Sequence, residues 1–162
     1  MTHCLIILLI LLVFTFCLAF MTAHKADGSR DLSCIALFSY IVTVLYVTVF
    51  DRGGVTDIRL QLIPFYQFDA LVLIGMMENA LLFMPAGTLP LSAFPRWRPA
   101  HAVFAGVVFS LTIESVQLIT HRGIFDVNDL IANILGAVLS ALIYTGLYTV
   151  FQKHQTTNRK KH

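Results

Sequence analysis

Two carboxylic acids, Glu78 and Glu114, stand inside apolar runs of this 162-residue chain. An acidic side chain in hydrocarbon costs on the order of 3 kcal/mol, so such a group faces protein or water rather than lipid. A buried carboxyl also has its proton affinity tuned by its surroundings, as a general acid or base requires. Other polar groups follow the same spacing. Ser110, Glu114, Gln117 and His121 fall at i, i+4, i+7 and i+11, a single face of a helix. Asp126, Asp129 and Asn133 are three and four apart and form a second stripe if a helix begins near Asp126. Arg59 and Arg122 flank these groups from two different loops. Arginine gives bidentate hydrogen bonds to phosphate or carboxylate. Each residue also has a plainer use. Asp126 or Asp129 can cap a helix, Gln117 and Asn133 can bond between helices, and Arg122 can reach from the interface to water. Glu78 and Glu114 can form a structural pair sharing a proton.

Composition decides what must position these residues. Apolar residues make up 57% of the chain and charged ones 12%, about half the charged share of a soluble domain. The apolar residues fall in five long runs, at residues 4–21, 32–50, 70–94, 102–119 and 130–151. A membrane-spanning helix needs about 20 such residues. The expected fold is therefore all-α: a polytopic membrane bundle of about five transmembrane helices, forming one domain over 1–162. The third run contains Glu78, Asn79, Pro85 and Pro90, and the prolines would kink a tolerant membrane helix. No positive charge precedes Cys4 and no small-residue cleavage site follows Phe20, so the first run reads as a retained helix. Ala132, Gly136 and Ser140 form a small-xxx-small seam for close packing.

Charge gives the orientation. With residues 152–162 as a basic cytoplasmic tail, that side holds Lys25, Arg30, Arg96, Arg98, Lys153, Arg159, Lys160 and Lys161. The other side holds Arg52, Arg59 and Arg122. Eight against three is a positive-inside bias, which places the N-terminus outside. Glu78 then lies about 12 Å below the outer end of its helix, and Glu114 about 8 Å below its own. The net charge of +2 reflects topology and gives no reason to expect a nucleic-acid partner. The three cysteines and six histidines show no metal or redox spacing, so no metal and no cofactor are expected.

Four blocks together resemble a known family. Arg59-Leu60-Gln61-Leu62-Ile63-Pro64-Phe65 is similar to the opening of the VanZ-like domain. Glu78-Asn79, followed by an apolar stretch and Pro85-Ala86-Gly87, is similar to its second block. Ile113-Glu114-Ser115-Val116-Gln117 resembles its third block, and Arg122, Asp126, Asp129 and Asn133-x-x-Gly136 follow in the same order. The resemblance covers residues 59–146, whereas residues 1–50 match only as hydrophobic spans. Asn128 departs from the pattern, because the family often carries a second acid beside the Asp129 position. The resemblance implies a small bacterial cell-membrane protein with a link to the envelope, since the founding member is associated with lowered susceptibility to teicoplanin. It also adds Asn79 to the candidate site.

Two functions compete at this stage. In the first, the chain binds or modulates a membrane lipid or lipid-linked envelope component at the outer face. Its ligand-binding residues are Arg59, Asn79, Gln117, Arg122, Asp126, Asp129 and Asn133. In the second it is a small membrane enzyme acting on a lipid headgroup, with Glu78 and Glu114 as acid and base. The chain has no Gly-x-Ser-x-Gly nucleophile motif and no phosphate-binding glycine loop. Their absence favours the binding role. A transporter is the weakest of the readings, because no inverted repeat is evident.

Overall fold

The computed structural model describes residues 29–50, 60–66 and 69–159. Four of the five expected spans fall within them; the first, residues 4–21, lies outside, as does Arg59. Helix α1 (Ser29–Leu45) continues into a π-helical turn, Tyr46–Phe50. Helix α2 covers Ala70–Ala93, α3 Pro99–Ile119 and α4 Val127–Arg159. All four are long and apolar enough to cross a membrane. The last runs further than its apolar stretch, carrying Gln152 and Lys153 of the basic tail on the same helix.

What the bundle hides confirms a bilayer as its solvent. Large apolar side chains point outward, among them Phe38, Leu71, Phe104, Leu135 and Leu142. The interior holds Ser33, Thr88, Ser110, Glu114, Asn133 and Ser140 beside small residues and a compact apolar cluster. A soluble protein with this distribution would expose large contiguous apolar patches to water. Hydrocarbon removes that penalty and reverses the usual sorting.

Close contacts set the register. Gly136 lies against the backbone of Ala80, Gly87 against the Ala137 carbonyl, and the Ser140 hydroxyl donates to the Met84 carbonyl. Helices α2 and α4 therefore run parallel, joined by the seam that contains Gly136 and Ser140. Asn133 bonds Ser110, and Gly106 sits under Ala137, so α3 runs antiparallel to both. Tyr40, Phe83 and Phe109 fill the centre, with the Phe83 and Phe109 rings 5.7 Å apart.

Pro85 and Pro90 sit inside α2 and are buried there. Proline removes a backbone donor and crowds the preceding turn. Side chains of neighbouring helices bond carbonyls in the same stretch: Leu82 O accepts from Tyr40 Oη at 3.0 Å, and Met84 O accepts from Ser140 Oγ. Membrane helices tolerate proline where such neighbours pack against them.

Helix ends follow local rules. Asp69 caps α2 through a 2.9 Å bond from the Val72 N–H. Pro99 opens α3, where its missing donor costs nothing. At the other end of α3, His121 N–H donates to Leu118 O and Arg122 N–H to Gln117 O. This is the Schellman closure. The residue that turns the chain there normally is glycine, but here it is His121, with φ 54°.

Candidate functional site

The polar groups gather at the end of the bundle where α1 and α3 finish and α2 and α4 begin. A two-residue parallel bridge stitches that end together, pairing Leu60 with Phe125 and Gln61 with Asp126. The loop between α1 and α2 is thereby fastened to the loop between α3 and α4. A second fastener lies beside it. Pro64 and Phe65 occupy the middle of a tight turn, Phe65 has φ 58°, and its N–H donates to Asn128 Oδ1 at 2.8 Å. Asn128 is buried. Its place in the family pattern often holds an acid; either side chain supplies the acceptor this turn needs.

Glu114 stands at the centre, 2% exposed. Its Oε2 accepts from the Asp126 N–H at 3.2 Å. Asp126 Oδ1 in turn accepts from the Asn128 N–H at 2.8 Å, so Asp126 caps α4 as its position suggested. One turn below Glu114, Ser110 Oγ accepts from Asn133 Nδ2 at 2.9 Å. One turn above it, Gln117 Nε2 donates 2.9 Å to the carbonyl of Thr48. Thr48 belongs to the π-helical turn, whose wider winding alters which carbonyls are used within the helix. Arg122 and Asp129 are half-buried at the rim.

Two polar atoms in this cluster are buried without a hydrogen-bond partner among the described residues: Gln117 Oε1 and Asn133 Oδ1. A buried acceptor left unmade costs about 1–3 kcal/mol. Each such group calls for an explanation, and two of them fall at the same end of this bundle.

The expected site residues divide. Glu114, Gln117, Asp126 and Asn133 gather on and against one face of α3 in three sets of hydrogen bonds, with Arg122 and Asp129 at the edge. Glu78 and Asn79, both half-buried on α2, add no hydrogen bond to these among the described residues. The Ala80–Gly136 and Ser110–Asn133 contacts set Glu78 roughly a turn deeper than Glu114. Arg59 lies outside the described residues, next to bridged Leu60. Thr48 and Gly123 carried no signal in the sequence. Thr48 enters through its backbone, and Gly123 through the side chain it lacks.

A sequence profile described as VanZ/LLP1 matches residues 4–151. The match reaches well beyond the motif-bearing stretch and takes in the hydrophobic spans before it. No curated protein and no solved structure matches the chain.

Proposed function

The chain belongs to the VanZ/LLP1 family, and from that premise we propose that it is a non-enzymatic protein of the bacterial envelope that holds a phosphate-bearing lipid headgroup at the outer face of the cell membrane. One observation carries this reading. The polar cluster around Glu114 is fastened to an apolar lip, in which Leu60, Leu62, Ile63, Phe65 and Tyr66 are each more than half exposed. A polar cluster bordered by an apolar edge suits an amphiphile, with its headgroup against the cluster and its chains along the edge. The eight-to-three distribution of basic residues supports a cluster at the outward-facing end. Arg122 and Arg59 are the groups suited to phosphate, since a guanidinium offers two parallel N–H bonds to it. Shielding a cell-wall lipid in this way would lower susceptibility to teicoplanin-type lipoglycopeptides.

Lipid co-purified with the full chain in mild detergent tests the reading, alongside Arg122→Lys and Arg122→Ala. Lysine keeps the charge but loses the planar two-point geometry. Bound lipid should fall in Arg122→Lys and fall further in Arg122→Ala, while the wild type leaves that lipid chemically intact. The burial of Glu114 favours a second reading, acid–base chemistry on the same headgroup. Conversion of the lipid by the wild type, with Glu114→Gln binding it unchanged but not converting it, would establish the enzyme and refute the binding role.

A further inference from the structure

Gln117 is held in one orientation. Its Nε2 donates to the Thr48 carbonyl, and a carbonyl can only accept, so the amide cannot be turned over. The oxygen is therefore the atom left without a partner, in a residue 1% exposed. Its cover is Gly123. A Cβ built there would lie 3.3 Å from Oε1 and 3.2 Å from the Gln117 Cβ. Glycine thus leaves unfilled the place where any other residue would crowd the amide. Asn133 is the second such residue. Whichever way its amide points, one polar atom bonds Ser110 and the other is left over, buried.

Phosphate oxygens do not satisfy an amide oxygen, because both are acceptors. Arg122 suits a phosphate; the Gln117 oxygen calls for an N–H or O–H.

We propose that the bound headgroup carries a hydrogen-bond donor beside its phosphate, a hydroxyl or a primary ammonium, and that Gln117 Oε1 receives it. This rests on the headgroup reading above and narrows its ligand class. The turn from Thr120 to Gly123 is what must yield, opening by about one donor–acceptor distance, roughly 2.8 Å. It is held at the α3 terminus by three backbone bonds, from the N–H groups of Thr120, His121 and Arg122, and turns on His121 in the left-handed region, a residue type that takes that conformation less readily than glycine.

The test compares two pairs of short-chain lipids, each matched in charge, on the full-length protein in detergent. Phosphatidylethanolamine and phosphatidylcholine differ in having or lacking ammonium N–H. Phosphatidylglycerol and phosphatidylmethanol differ in having or lacking hydroxyls. The donor-bearing member of one pair should bind about tenfold more tightly, the order expected of a buried hydrogen bond. The pair that shows the preference identifies the donor as ammonium or hydroxyl. Gln117→Met, which keeps the volume but loses the acceptor, should erase the preference. So should Gly123→Ala, which keeps the Gln117 side chain and fills the space over its oxygen. Equal affinity within both pairs would overturn the donor assignment and leave the headgroup reading intact. A preference that survives both substitutions would overturn the role of Gln117, and failure of all four lipids to bind would overturn both readings.

Discussion

At the scale of single residues, the cluster is built from side chains serving backbone groups. Asn128 receives the Phe65 N–H, Asp126 receives the Asn128 N–H, and Glu114 receives the Asp126 N–H. Each link needs only an acceptor, and this governs how substitutions act. Asn128→Asp, which keeps the acceptor but brings an acid into a buried place, should lose less stability in detergent than Asn128→Ala. Asn128→Ala should lose about 1–2 kcal/mol, as for a buried donor left unmade. The alanine variant should also be cut faster by protease near Ile63, because its turn is released. Asp126 as a cap was legible in the sequence, since acceptor residues before an apolar run mark a helix start. The use of Asn128 was not. It depends on a turn more than sixty positions away, and no local pattern records that pairing.

Among the elements, the seam between α2 and α4 sets how closely the helices approach, and small residues are its condition. Gly136→Ala drives a methyl group into the Ala80 backbone, which has no flexible end to move aside. The helices must separate, and the variant should lose several kcal/mol of stability, in the range of an overpacked core. Gly146 on the same helix has nothing near its absent side chain. Gly146→Ala should be neutral or stabilising by up to about 1 kcal/mol, through helix propensity alone. Unfolding both variants in the same detergent checks the contrast. The small-residue spacing of the seam is readable directly from the order of residues along the chain. The partner helix and the register are not, because spacing reports a face and not what covers it. The π-helical turn at Tyr46–Phe50 is equally hidden, as its apolar sequence suits any helix.

For the molecule as a whole, apolar run length made the spans legible, because thickness is the one dimension a bilayer imposes on every helix. Charge distribution then predicts which end faces out. Single cysteines at positions 54 and 121, in a chain freed of its native cysteines, should react with an impermeant thiol reagent applied to intact cells. Single cysteines at positions 97 and 156 should react only after the cells are opened. The reverse pattern would turn the protein over and put the Glu114 cluster on the cytoplasmic side. Which polar residues converge was legible only in part. Periodicity grouped the face of α3, but the bridge joining two loops is too short to announce itself as strand.

That bridge also has a place in time. Leu60 leaves the ribosome 65 residues before its partner Phe125. At ordinary elongation rates the interval is about 3–13 s. Through it the apolar lip must wait without a pairing strand and without Asn128, while α2 and α3 enter the bilayer. The Glu114 cluster is therefore among the last parts of the fold to assemble during synthesis. A chain stalled anywhere before Phe125 would be a set of inserted helices without that cluster.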